Sequence, residues 1–510
     1  MATLQEYAQL STRVYSRTQV NRIPIPTGWT ELSYIGNNQF SGLSAGVYRN
    51  GDEIVIAFTG TNESAVWDFA VANIPAAVSI PSAQVTEAMM LYLETKQQYP
   101  DADITFTGHS LGGGLASLLA VFFDKPATVF DQAPFELTAL NLGSLLLYRT
   151  EAARRGYTDD VFDAYISNIL LYPQREANVT GVYLEGEILA DLRAIWPEIQ
   201  GNGDGVRVPI GEQNYLDGLN GAPFAPRKAD VHSMSLLTAM LVSPTFAGMV
   251  QSTPSILEVL FDKSLYKVDP ERSVQPNFLD RLLIAQLGDP AQSTVPVPLL
   301  DRFASDVLLL QPGEGSSTSL PALQAGLIAV VMEYYRFSEI SDAGEFLSQS
   351  GNGVLFDIST ITGSDRRGQQ RLISGLEQIL DPMNRARARQ WASNAAVWTV
   401  QTGTNALYTS GREENEVQIG GVTQHSVLNG GAGHDLLVDG HGNGELNGGV
   451  GNDVLLGGSG DDLLYGGVAG ELGAHSDDDY LHGGAGNDIL IGGRGRDELR
   501  EHVALNLNYV

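Results

Sequence analysis

Between residues 430 and 500 the chain repeats itself every nine residues. Successive units read GGAGHDLLV (430–438), DGHGNGELN (439–447), GGVGNDVLL (448–456) and GGSGDDLLY (457–465). After an irregular stretch come GGAGNDILI (483–491) and GGRGRDELR (492–500). A glycine pair opens every unit but 439–447, the same five units have an Asp sixth, and all six have an apolar residue eighth. Glycines permit a tight turn and leave backbone carbonyls pointing inward, where a carboxylate can join them around a hard cation that prefers oxygen ligands. The apolar eighth residue stacks on its equivalent in the next turn, so neighbouring units build a small core that no single unit could. Asp435, Asp453, Asp462, Asp488 and Asp497 are the candidate side-chain ligands. Asp479 joins them from a degenerate unit, because DYLH keeps the same phase of Asp, one residue, then an apolar residue. Unit 439–447 departs, with Gly444 where the Asp belongs, and segment 466–482 breaks the phase by one residue. These turns are expected to bind metal poorly.

The charge agrees with a cation-binding tail. The whole chain carries a formal charge of -30, and residues 420–502 hold fourteen acidic residues against Arg494, Arg496 and Arg500. Such a surface excludes nucleic acid as a partner, since phosphate contacts need a basic face. It also opposes anionic membranes on average. With no cysteine, neither disulfides nor thiolate-bound zinc hold the fold. The N-terminus MATLQEYAQL lacks the basic and apolar regions of a secretory signal, and no run reads as a transmembrane helix. At 510 residues, two or three domains are expected.

A second motif carries chemistry. Residues 105–118 read TFTGHSLGGGLASL, which puts Ser110 at the apex of a Gly-x-Ser-x-Gly turn. Ile104 to Thr107 alternates as a buried strand does, and Leu111 to Phe122 has helical spacing. Gly108 and Gly112 flank the serine because a Cβ at either would clash where strand and helix pass closely. The Leu111 amide then stands at a helix N-terminus, ready to donate to an oxyanion. A nucleophilic serine needs a base. Of eight histidines, His109 lies inside the turn and six lie at or beyond residue 425, which leaves His232 by elimination. The acid should follow a strand between the two. Thr180 to Leu184 reads as that strand, followed by Glu185, Glu187 and Asp191 as alternatives.

Both motifs resemble known families. The tail resembles the RTX calcium-binding β-roll of proteins exported by bacterial type I secretion. That resemblance implies a parallel β-roll folded only with Ca2+, an extracellular destination, and passage through the type I secretion apparatus without an N-terminal signal peptide. The front half resembles the class 3 lipases. It has a strand (Glu53 to Phe58), an FTGT segment ending at Thr61, then Trp67-Asp68, a helix, a strand and GHSLGG. The resemblance implies an α/β-hydrolase fold, Thr61 as second oxyanion donor, His232 as base and Glu187 as the best match to the acid. Thr59 stands where the family usually has arginine.

The expected organisation is an α/β-hydrolase domain over 1–257, a helical accessory region over 258–410 and a roll with C-terminal tail over 411–510. Ala322 to Phe337 reads as a buried helix and Gln369 to Ala396 as one amphipathic helix. Two uncharged stretches, Ala70 to Thr86 and Ser233 to Leu257, read as lid or acyl-chain surface, with buried core an equal reading for the second. The expected function is a secreted, calcium-stabilised triacylglycerol lipase acting as a monomer at a membrane or oil interface. Phospholipase A1 is the alternative with the same site. A calcium-binding surface or adhesion protein with an inactive hydrolase domain is the alternative from another class.

Overall fold

The computed structural model describes residues 1–15, 22–36, 41–60, 82–184, 206–208, 232–262, 265, 278–288, 298–309, 322–337, 353–357, 367–379, 382–395, 397–403, 408–409, 411–420, 425–439, 442–468 and 476–500. The chain divides into two compact units, one of Met1–Phe261 with Asp269–Asp301, the other of Asp262–Val268 with Arg302–Val510.

Unit one is built on a seven-stranded sheet whose strands lie in chain order, β1 (Thr30–Ile35), β2 (Ala45–Asn50), β3 (Glu53–Phe58), β4 (Asp103–His109), β5 (Ala127–Phe130), β6 (Val179–Leu184) and β7 (Val206–Val208). The first two pairings are antiparallel and the rest parallel. Parallel neighbours need crossovers, and helices α2 (Ser82–Gln98) and α3 (Leu111–Phe123) supply the first two. The period-two alternation of β4 sorts its side chains between two layers. Phe106 stacks edge-on against Tyr92 of α2. Thr105 and Thr107, on the other face, hydrogen-bond Tyr7 and Ser11 of α1 (Leu4–Arg13) at 3.1 and 2.8 Å. Thr12 of α1 in turn meets Thr238 at 2.7 Å. Thr238 belongs to α6 (Met234–Val242), so α1 and α6 cover that face together.

α3 is buried along nearly its whole length. The Arg175 guanidinium donates to the Val121 and Phe122 carbonyls, which satisfies two of the acceptors a helix C-terminus leaves open. β5 and β6 are bridged by α4 (Leu142–Arg154) and α5 (Asp160–Ser167), among shorter helical pieces. The uncharged stretch after His232 is core over α6, where Met234, Leu236, Leu237 and Ala239 are buried. The lid reading therefore does not hold there. The earlier stretch lies outside the described residues as far as residue 81.

In unit two, α7 (Ala322–Phe337) runs against α8 (Arg367–Ile379). Gly326 and Gly368 sit at the contact, where a Cβ would come within 2.5 Å of the Leu372 backbone or 2.4 Å of the Ala329 carbonyl. The single amphipathic helix expected over Gln369 to Ala396 is in fact two, α8 and α9 (Pro382–Asn394). Pro382 has no N–H and disfavours helical backbone in the residue before it, so it opens the second helix instead of continuing the first.

The repeats form two stacks of parallel strands. One stack runs β9 (Val397–Gly403), β10 (Glu416–Ile419), β12 (Leu436–Val438), β14 (Val454–Ser459), β16 (Tyr480–Ala485) and β18 (Glu498–Arg500), with β8 (Gly353–Asp357) antiparallel at its end. The other runs β11 (Val427–Ala432), β13 (Glu445–Val450), β15 (Leu463–Tyr465) and β17 (Ile489–Ile491). Leu428, Leu437, Leu446, Leu455, Leu464, Leu481 and Leu490 fill the space between them. Each contributes roughly 1.5–3 kcal/mol by leaving water.

Candidate active site

The site is assembled at the carboxyl ends of the central strands, where open α/β sheets place their ligands. β4 ends at His109, and Ser110 follows with φ 57 and ψ -125. Left-handed backbone at a residue with a Cβ is strained, by about 1–3 kcal/mol, and persists only when its surroundings impose it. Glycine contacts impose it here. A Cβ on Gly108 would lie 2.4 Å from the Gly112 carbonyl oxygen, and one on Gly112 would lie 2.2 Å from the Phe58 carbonyl oxygen. The Ser110 amide donates to Phe130 at 3.0 Å, and its carbonyl accepts from Gly114 and Ala133 at 3.1 and 2.9 Å. Leu111 is the first residue of α3, as expected of an oxyanion donor.

His232 comes to the same place from the residue pair before α6. Its ring stacks on that of His109 with centroids 4.5 Å apart. One ring nitrogen of each histidine and one carboxylate oxygen of Asp131 lie within 4.8 Å of one another, and all three residues are buried. His109 Nδ1 lies 2.8 Å from the Tyr15 hydroxyl, which also accepts from the Gly60 amide at 2.8 Å. Gly60 itself packs on the serine, since a Cβ there would fall 2.8 Å from Ser110 Cβ. Burial is the main cause that lowers His109 from 6.5 to about 4; the nearby His232 adds to it and Asp131 opposes it. His109 is therefore a neutral wall of the site at neutral pH.

Asp131 was not among the residues singled out in the sequence. It follows β5, the neighbour of the serine strand, with φ 42 and no exposed surface. Its Oδ1 accepts from the Leu184 amide at 2.9 Å, and Oδ2 lies 3.7 Å from His109 Nε2. Of the sequence candidates, the structure brings together Ser110, Leu111 and His232. Thr61, Glu187, Glu185 and Asp191 lie outside the described residues.

In the roll, Asp435, Asp453, Asp479 and Asp497 form one column along one edge. The Asp435 amide donates to Asp453 Oδ1, Asp453 to Asp479, and Asp479 to Asp497, at 2.8, 2.8 and 3.0 Å. Asp462 and Asp488 are linked in the same way on the opposite edge, at 3.0 Å. Oδ2 of Asp435, Asp453, Asp462 and Asp479 is buried with no hydrogen-bond partner in the protein. Desolvation, the largest cause, pushes Asp435, Asp462 and Asp479 up to about 7, with carboxylate neighbours adding to it. Orphaned, buried carboxylate oxygens facing glycine carbonyls are what a hard divalent cation requires, so these residues fit Ca2+.

Comparison with known proteins accords with both halves. Residues 6–203 match the model of a Tle-like phospholipase domain, and residues 440–468 and 474–499 match the RTX calcium-binding nonapeptide repeat. The extracellular phospholipase A1 of Serratia liquefaciens is 35% identical over 101 residues, which is 20% of this chain and 30% of that protein. The chain thus spans under a third of that relative's length. Among solved structures, a Rhizomucor miehei lipase propeptide complex aligns at 18% identity and a TM-score of 0.25, covering 38% of this chain and 66% of that one. Lip2 lipase from Yarrowia lipolytica aligns at 16% identity and a TM-score of 0.25, covering 41% and 78%. The chain carries a lipase-like α/β-hydrolase domain followed by RTX calcium-binding repeats.

Proposed function

We propose that this chain hydrolyses carboxylic esters of lipids, and that its substrate is a phospholipid cut at its sn-1 ester. The observation that carries the chemistry is the strained Ser110 beside a buried His109–Asp131–His232 cluster. His232 takes the Ser110 proton as Oγ attacks the ester carbonyl carbon. The carbonyl oxygen becomes an oxyanion that the Leu111 and Thr61 amides hold. As the tetrahedral centre collapses, the C–O bond to the leaving alcohol breaks and His232 returns the proton to it. Water then attacks the acyl-serine by the same route, which releases the fatty acid and restores Ser110. Asp131 is the carboxylate that steadies the imidazolium, and Glu187 is its competitor from the sequence.

The phospholipid reading ranks above triacylglycerol because both the matched domain model and the Serratia relative are phospholipases. An exposed apolar surface supports a lipid substrate of either kind. Leu137, Leu140, Leu142, Leu146 and Leu147 all stand out into solvent on the segment that follows Asp131. Calcium acts through the fold of the roll and takes no part in the steps above. The chain leaves the cell unfolded through a type I apparatus and folds on meeting calcium outside, a reading supported by the repeats and by the extracellular relative.

The test is a panel of defined phospholipids and triacylglycerols with calcium present, run on the protein and on Ser110→Ala. Release of sn-1 fatty acid that vanishes in the variant is expected. Unchanged hydrolysis by Ser110→Ala removes the site from the reaction, and triacylglycerol as the sole substrate overturns the substrate class.

A further inference from the structure

The unit that departs from the repeat, 439–447, holds the clue. In six turns of the roll the first glycine faces the carboxylate of the Asp that closes the turn. A Cβ added at Gly430, Gly448 or Gly457 would lie 2.4, 2.4 or 2.5 Å from Oδ2 of Asp435, Asp453 or Asp462. At Gly466, Gly483 and Gly492 the same distances to Asp479, Asp488 and Asp497 are 2.3, 2.3 and 2.4 Å. One residue of each pair fills the gap with a carboxylate, and the other makes room by having no side chain.

In 439–447 the two residue types have changed places: Asp439 stands first and Gly444 sixth. A Cβ added at Gly444 would lie 2.3 Å from Asp439 Oδ2. The carboxylate therefore enters the same gap from the opposite side of the turn. Asp439 is as buried as its counterparts, at 2% exposure against 0% for Asp453 and 2% for Asp462. The exchanged turn also keeps its place in the ladder. The Gly444 amide donates to Asp462 Oδ1, and the Asp439 amide donates to the Leu456 carbonyl at 2.8 Å. The next carboxylate on this edge, Asp462, buries an Oδ2 with no hydrogen-bond partner, so the edge already demands a cation.

We propose that Asp439 is a calcium ligand that replaces the missing sixth-position Asp, so that the exchanged turn binds Ca2+ and leaves no break in the ladder on that edge. This rests on reading the repeats as calcium-binding. The Asp439 carboxylate lies where the sixth-position carboxylate lies in the other turns, on the edge where Asp462 already buries an orphaned oxygen. It also reverses the expectation that Gly444 leaves this turn weak.

Calcium titration calorimetry of the full chain, with Ca2+ alone as ligand, decides it. Asp439→Asn, which keeps the shape and removes the charge, should bind one ion fewer than the native protein, or bind it at least tenfold more weakly. The exchange variant Asp439→Gly with Gly444→Asp restores the ordinary unit and should recover native stoichiometry. Asp462→Asn is the reference for the calcium reading itself. If Asp462→Asn loses calcium while Asp439→Asn binds like the native chain, Asp439 is no ligand and the calcium reading stands. A native chain that binds no calcium removes both. If Asp439→Asn does not fold, the exchange variant carries the decision: native stoichiometry supports the ligand role, and one ion more than the native chain overturns it.

Discussion

His109 is buried, beside the nucleophile, and held neutral by its surroundings, and this has a measurable consequence for stability. Its value falls from 6.5 to about 4 on folding, chiefly through desolvation. As pH drops, the unfolded chain takes up a proton near 6.5 and the folded one only near 4. Stability is therefore whole above about pH 6.5 and is lost as pH falls towards 4. The full difference of some 2.5 pK units corresponds to about 3 kcal/mol, and about 2 kcal/mol of it is lost by pH 5. The perturbation is His109→Gln, which has a polar end but does not titrate. At pH 7.5 the variant should be less stable than the native protein by about 1 kcal/mol, for the lost contact with Tyr15. Between pH 7.5 and 5 the native protein should fall about 2 kcal/mol further than the variant, so that the order of stability inverts. Amide exchange of peptides covering β3 to β5, in saturating calcium, reads this directly for the hydrolase unit. Equal falls in both proteins would show that His109 is charged or solvated in the fold, and the account of a neutral wall would be wrong.

Three further outcomes are expected. Asp131→Asn should lower kcat by roughly 10⁴-fold while Glu187→Gln leaves it within a factor of ten, and the reverse result hands the acid's role to Glu187. Gly112→Ala, whose new methyl would meet the Phe58 carbonyl at 2.2 Å, should destabilise the hydrolase unit by about 1–3 kcal/mol and displace Ser110; native stability and activity would contradict the close-approach argument. Leu142→Gln with Leu146→Gln, on exposed positions one helical turn apart, should cut activity on phospholipid vesicles about tenfold and spare soluble short-chain esters. An equal effect on both substrates would mean that the leucines do not meet lipid.

The elbow and the roll were legible in the sequence because both are local. Glycines at fixed offsets from Ser110, and a leucine every nine residues, declare themselves within one short window. Asp131 was not, because what makes it relevant is the pairing of β5 with β4, which brings the residue after Phe130 level with Ser110. The one available signal was position: Asp131 directly follows the strand after the nucleophile helix. Tyr15 was hidden for the same reason, lying 94 residues from the histidine it touches. The helix over 369–396 was misjudged because periodicity outweighed a proline that needed only one residue to end it.

The spacing of the core leucines has a consequence for how such chains vary in length. Successive core leucines stand nine residues apart up to Leu464, yet the next is Leu481, seventeen on. Leu455 still pairs with Leu481, and Leu464 with Leu490, as if nothing had been added. Asp479 still takes its place between Asp453 and Asp497. The ladder counts rungs and is indifferent to the chain between them. The residues added between Leu464 and Leu481 leave both pairings in register, so a new segment or a grafted peptide placed between Val468 and Ser476 is expected to leave the stacking unchanged.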